Sequence, residues 1–266
     1  MSTTIGVFDS GFGGLTVLRE LLPLVPGAHY LYLGDSARLP YGSKSQATIA
    51  RYAVESARLL TARGAQHLVI ACNTASALAM PEIEQAVDVP VTGVITPAVE
   101  AAEQRHANAE VLVLATAATV QSHAYRLQCG AHGLRATEKA CPLLVPLVEE
   151  GWIDHLVTRE VLRIYLCEAL AACDPEAVLL GCTHYPLIAP VIVSALAELG
   201  CTAELIDSAK ATAQAVARAL PVSVGARGGE ASFQCFATDS VEKFERLGSH
   251  FLGRAVGKVE LVDLGG

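Results

Sequence analysis

Two segments of the 266-residue chain run a short apolar block into a cysteine and then into a cluster of hydrogen-bonding side chains: Val69-Ile70-Ala71-Cys72-Asn73-Thr74 and Leu179-Leu180-Gly181-Cys182-Thr183-His184. The two cysteines fall near corresponding places in the two halves of the chain and have no metal-ligand spacing. Such a pair suits chemistry on two faces of one small molecule. Taking a proton from a carbon next to a carboxylate and replacing it from the opposite face inverts the centre without a cofactor. The economical design has one base and one acid, which exchange roles for the reverse reaction. A thiolate fits the task because it is weakly hydrated, and a reference pKa of about 8.5 leaves both protonation states accessible near neutrality. The chain holds eight cysteines. The other six, Cys129, Cys141, Cys167, Cys173, Cys201 and Cys235, are irregularly spaced, form no C-x-x-C pair and read as small core hydrophobes.

The neighbours of the pair carry further possibilities. His184 follows Cys182 by two residues and could tune that thiol or relay its proton; the plainer reading is a histidine hydrogen-bonded at a helix start. A metal held by Cys182 and His184 would need more ligands at suitable spacing, and no convincing set is present. Asp9 ends the apolar run Ile5-Gly6-Val7-Phe8, where an unpaired buried carboxylate is expensive. It is either a proton partner or orienting group near Cys72, or an N-cap above the Gly11–Gly14 turn. That glycine-rich turn is not a P-loop, and its spacing is wrong for a dinucleotide fingerprint. It still exposes backbone N–H groups that could hold a carboxylate. Asn73, Thr74 and Thr183 stand in the same setting and suggest recognition of a small dianionic or zwitterionic ligand, or ordinary helix capping. Pro40-Tyr41-Gly42 can place a backbone amide and a phenol beside a cleft, although taken alone it is a turn.

These residues need elements to hold them. Strand candidates are Ile5–Phe8, Tyr30–Leu33, Leu68–Ala71, Val91–Gly93, Val111–Ala115, Val178–Leu180, Ala203–Ile206, Ser232–Phe236 and Val259–Val262. Between several of them lie helical patterns, as over Gln46–Arg63 and Ile153–Ala172. Strands alternating with helices argue for parallel sheets covered on both faces, with ligands beyond the carboxyl ends of the strands. Two strand ends carry the cysteines, and two carry Asp9–Gly14 and Thr116-Ala117-Ala118-Thr119. The expected fold is α/β: two related Rossmann-like, three-layer domains with mainly parallel sheets, facing each other by pseudo-two-fold symmetry across a cleft. The first domain is expected over residues 1–97 plus 208–266 and the second over 98–207, hinged near Thr96-Pro97 and Asp207-Ser208.

Composition bounds the function class. Hydrophobic residues make up 52% and charged residues 17%, enough for a substantial core. A formal charge of -8 disfavours nonspecific binding to nucleic acid or anionic membranes. No apolar stretch reaches the roughly 18 residues of a membrane span. Met1-Ser2-Thr3-Thr4 enters a strand-like run without the basic start and apolar stretch of a secretory signal, so a cytoplasmic protein with reduced thiols is expected.

Taken together the motifs resemble those of the glutamate racemases, the cofactor-independent amino-acid racemases of bacterial cell-wall synthesis. The resemblance lies in Asp9-Ser10-Gly11-x-Gly13-Gly14, Gly34-Asp35-x-Ala37-Arg38-x-Pro40-Tyr41-Gly42, Ala71-Cys72-Asn73-Thr74-Ala75-Ser76 and Gly181-Cys182-Thr183-His184-Tyr185-Pro186. Looser matches are Ala115-Thr116-x-x-Thr119-Val120-x-Ser122 and Val145-Pro146-Leu147-Val148-Glu149. Each is short, but together they span most of the chain in the expected order. The resemblance implies that Cys72 and Cys182 are the two acid–base thiols, assisted by Asp9 and His184 respectively, with Cys72 acting on D-glutamate and Cys182 on L-glutamate. It implies that Ser10, Tyr41, Gly42, Asn73, Thr74, Thr119 and Thr183 hold the substrate, that no cofactor or metal takes part, and that the chain forms a homodimer. An aspartate racemase with the same two thiols, or a noncatalytic dicarboxylate-binding module, are the alternatives.

Overall fold

The computed structural model describes residues 3–220 and 230–265. Met1 and Ser2, at the start of the strand-like run that lacks a secretory-signal pattern, and 221–229 and Gly266, within the stretch expected to return to the first domain, lie outside the described residues.

Two parallel sheets organise the chain. The first contains β1 (Thr4–Asp9), β2 (His29–Gly34), β3 (His67–Ile70), β4 (Val91–Gly93), and, from the far end of the chain, β9 (Ser232–Ala237) and β10 (Val259–Leu261). Its strand order is β10-β9-β2-β1-β3-β4. The second contains β5 (Glu110–Ala115), β6 (Arg135–Ala140), β7 (Ala177–Gly181) and β8 (Glu204–Asp207), in the order β6-β5-β7-β8. The run β2-β1-β3-β4 is thus repeated as β6-β5-β7-β8, which makes β3 and β7 equivalent and brings Cys72 and Cys182 to the same topological place. All recorded strand pairs are parallel.

The layering follows from side-chain alternation. On β1, Ile5 and Val7 enter one core, shared with α1 (Leu15–Leu24), whereas Phe8 enters the other, under α2 (Gln46–Ala62). The apolar positions of α2, Ile49, Ala53, Ala57 and Leu60, recur at helical intervals and cover that second face. Around the second sheet, α5 (Ile95–Arg105) packs on α7 (Ala124–Ala131), β7 and β8, while α9 (Leu156–Leu170) packs on β6 and α10 (Ala189–Glu198). A further helix, α11 (Ser208–Ala219), touches α1 of the first domain and α5, β7 and β8 of the second, so one buried core continues from domain to domain.

The expected strands are present with ends shifted by a residue or so, because backbone pairing extends past the apolar run or stops short of it. The pattern over Ile153–Ala172 forms a helix only from Leu156 to Leu170. β6, with the sequence Arg-Ala-Thr-Glu-Lys-Ala, was not expected. It pairs only with β5 at the sheet edge and none of its residues is fully buried, so it carries no apolar run. No helix among the described residues is long and apolar enough to cross a membrane.

Candidate active site

Beyond the carboxyl ends of β3 and β7 lies a cleft of about 500 Å³ lined from both domains. Cys72 and Cys182 both line it, each 5% exposed.

The two thiols have different neighbours. Cys72 is the N-cap of α3 (Asn73–Leu78), and its sulfur accepts the Ala75 N–H at 3.4 Å. The Cys72 thiol also meets Ser10 Oγ at 3.5 Å. Burial, reinforced by the negative charge of Asp9, pushes this thiol up to about 12. Asp9, at the end of β1, accepts the Gly11 N–H on Oδ2 at 2.9 Å, and its Oδ1 has no protein partner among the described residues. Burial raises the Asp9 carboxyl, against the positive charge of His184 and hydrogen bonds from the backbone of Gly14, Gly11 and Ser10. The helix α1 has Gly14 as its N-cap with no side-chain cap, so Asp9 closes the turn and does not cap the helix.

Cys182 stands beside a base. His184 Nδ1 lies 3.9 Å from its sulfur, and Nε2 lies 3.1 Å from Glu149 Oε1 on α8 (Leu144–Glu149). Burial alone would lower the imidazole, but hydrogen bonds to Cys182 and Glu149 and the charges of both outweigh it and raise His184 to about 10. Phe251 presses edge-on against the ring, with centroids 5.0 Å apart.

Hydroxyls and close backbone contacts join the domains around the cleft. Thr74 Oγ1 lies 3.0 Å from Thr116 Oγ1 and 3.2 Å from Thr119 Oγ1 across the domain boundary. On the other side Thr16 Oγ1 donates to the Thr183 carbonyl at 3.1 Å. Two glycines permit the approach: a Cβ on Gly13 would fall 2.3 Å from Thr183 Oγ1, and one on Gly42 would fall 3.0 Å from Thr116 Cβ.

A model of the Asp/Glu/hydantoin racemase family matches residues 5–216. The chain belongs to that family. The glutamate racemase of Koribacter versatilis is 50% identical over 98% of both chains. Among solved structures, the Francisella tularensis glutamate racemase in complex with D-glutamate has a TM-score of 0.90 at 34% identity, covering 99% of this chain and 98% of that one. The Thermus thermophilus glutamate racemase in complex with β-chloro-D-alanine has a TM-score of 0.88 at 42% identity, with the same coverage.

Within this racemase-family fold, Ser10, Tyr41, Gly42, Asn73, Thr74, Thr183 and His184 line the cleft with the two cysteines. Asp9 and Thr119 stand behind it: Asp9 under the Gly11 turn, and Thr119, fully buried, bonded to Thr74 and Thr116. Tyr41 borders the cleft, but its hydroxyl donates to Asp35 Oδ2 at 2.6 Å, so the phenol anchors the Leu39–Ser43 wall. Three contributors had no assigned role from sequence. Glu149 is fixed only by the fold beside a histidine 35 residues later. Thr116, which N-caps α6 (Ala117–Ser122), is the lining hydroxyl next to buried Thr119. Tyr125 lies outside every motif. Of the six cysteines expected in the core, Cys129, Cys141 and Cys235 are buried and pushed up to about 12 by burial, whereas Cys173 and Cys201 are half-buried and Cys167, on the outer face of α9, is exposed. Among the described residues no group of three or more His, Cys, Asp or Glu could hold a metal ion.

Proposed function

We propose that the chain is a cofactor-independent glutamate racemase that interconverts L- and D-glutamate with two thiols. One observation carries this reading: cysteines at the ends of equivalent strands in two repeated sheets line the same cleft. In this reading one sulfur, as thiolate, takes the α-proton, the electron pair stays on the α-carbon and its carboxylate, and the opposing S–H returns a proton to the other face. Cys182 takes the proton from L-glutamate and Cys72 from D-glutamate. The substrate's ammonium brings a positive charge into the cleft and offsets the burial that disfavours a thiolate. His184, held by Glu149, exchanges protons with Cys182, and Asp9 acts likewise near Cys72. Ser10, Asn73, Thr74, Thr183 and the Gly42 backbone hold the carboxylates and ammonium, and packed domains exclude water.

The same reading divides the chain into domains at 1–97 plus 208–266 and 98–207, with the sheet membership of β9 and β10 in support. It places the protein in the cytoplasm as a homodimer supplying D-glutamate for peptidoglycan, in keeping with eight free cysteines and no disulfide.

The test is incubation with L-glutamate in heavy water. Loss of optical rotation together with deuterium at the α-carbon is expected. Binding without exchange would reduce the protein to a dicarboxylate-binding module, and faster turnover of aspartate would move the assignment to an aspartate racemase.

A further inference from the structure

Asn73 is 3% exposed and lines the cleft, and its Nδ2 is buried with no protein partner among the described residues. An amide N–H₂ in that state costs free energy unless something accepts from it. The other end of the amide is occupied. Tyr125 Oη, from α7 of the second domain, lies 2.6 Å from Asn73 Oδ1. Tyr125 is fully buried, and burial raises its phenol well above the ordinary range, so it holds its proton. A phenol with its proton donates to a carbonyl oxygen and so pins that oxygen.

We propose that Tyr125 is a positioning residue: by donating to Asn73 Oδ1 it locks the amide so that Nδ2 presents its N–H groups to a substrate carboxylate in the cleft. This rests on the racemase reading above and adds to it the group that sets the donor's direction. The two orientations of an amide have nearly the same shape but opposite polarity. One offers N–H to a carboxylate; the other offers a carbonyl oxygen, which repels it. The lock also crosses the domain boundary, since Asn73 opens α3 just after β3 of the first domain and Tyr125 belongs to the second. The donor is therefore set when the domains are together, and opening the cleft releases it.

The variant Tyr125→Phe keeps the ring and deletes the donor. Racemisation kinetics on it are expected to show KM for glutamate raised about tenfold in both directions, with kcat within about twofold, the size of one hydrogen bond to a charged group. In Asn73→Ala the same Tyr125→Phe change should have no further effect on KM, because Tyr125 acts through the amide. An unchanged KM in Tyr125→Phe, or additive effects in the double variant, overturns the proposal while leaving the racemase reading intact. Absence of racemisation by the unaltered protein overturns that reading instead. If Tyr125→Phe does not fold, 3-fluorotyrosine at position 125 decides: it strengthens donation, so KM should fall, and an unchanged or higher KM overturns the lock.

Discussion

The first-domain thiol caps a helix beside an acid, whereas the second-domain thiol lies beside a base that is itself tied to an acid. Repetition of the strand order delivers both sulfurs to one cleft, yet the loops after β3 and β7 give them opposite electrostatics. Cys72 is pushed up to about 12 by burial and by Asp9, while hydrogen bonds to Cys182 and Glu149 raise His184 to about 10 against its burial. The backbone thus supplies symmetry and the neighbouring side chains remove it. A reaction on two mirror-image substrates needs both: equivalent positions to reach two faces, and different proton partners to keep one sulfur charged while the other holds its proton.

The strongest way to break the comparison is to delete either sulfur. Cys72→Ala and Cys182→Ala should each lower racemisation by about a thousandfold, within the range for a lost acid or base. They should differ on a glutamate analogue with a β leaving group, because elimination needs a single base. Cys72→Ala should eliminate only from the L-enantiomer and Cys182→Ala only from the D-enantiomer, followed by release of the leaving group. If both variants prefer the same enantiomer, the pairing of each thiol with one face is wrong.

A weaker cut removes the partners. Asp9→Asn and His184→Gln should each lower kcat/KM by about a hundredfold. The two enantiomers have equal free energy, so kcat/KM must fall alike in both directions. The asymmetry has to be read elsewhere, in the primary deuterium isotope effect. It should grow on D-glutamate in Asp9→Asn and on L-glutamate in His184→Gln. Equal changes on both enantiomers would erase the distinction between the two surroundings.

The glycines measure how closely each side of the cleft is held. A methyl at Gly13 would meet Thr183 Oγ1 at 2.3 Å and the His184 ring at 2.7 Å, whereas one at Gly42 meets Thr116 at 3.0 Å. Gly13→Ala should lower kcat/KM by roughly thirtyfold, short of the roughly hundredfold that a misplacement of about 1 Å costs, and Gly42→Ala by about threefold. Steady-state assays at matched melting temperature test the ranking, and a larger loss in Gly42→Ala would reverse it.

Much of this was legible because the chemistry sits where apolar strands stop. Cys72, Asn73, Thr74, Cys182, Thr183 and His184 follow runs that can only be buried strands, and a parallel sheet gathers such ends. What escaped reading lacked that signal. β6 is an edge strand with polar residues, so nothing in its hydropathy marks it. Glu149 and Tyr125 act across long sequence separations, on His184 and Asn73, which only the packed fold brings near. Thr116 and Thr119 lie three apart on one short helix start, and sequence could not tell that Thr116 lines the cleft while Thr119 is buried behind it. The phenol of Tyr41 was read as facing the ligand, but a buried carboxylate at Asp35 claims it.

The smallest effect concerns stability and isolates the second-domain side. His184 is raised from 6.5 to about 10, so between those values the folded protein binds a proton that the unfolded chain releases. That contribution is fully present below about 6.5 and is lost as pH rises through about 10, so unfolding free energy should decline across this window. Cys72, Cys129, Cys141 and Cys235, each raised to about 12 from 9.0, add declines of the same sign that set in from about pH 8. Denaturant unfolding between about pH 7 and 8 therefore isolates the imidazole, above the range of the lowered His67 and below that of the raised thiols. Glu149→Gln keeps a hydrogen-bond acceptor for Nε2 but removes its charge, so the window should shrink from its upper end and the decline between about pH 7 and 8 should become shallower. Asp9→Asn should leave that decline in place or make it only slightly shallower, since Asp9 is outside the hydrogen-bonded pair of His184. A slope unchanged by Glu149→Gln would mean that Cys182 alone holds the proton on the ring, and the base of the second domain would then need no acid behind it.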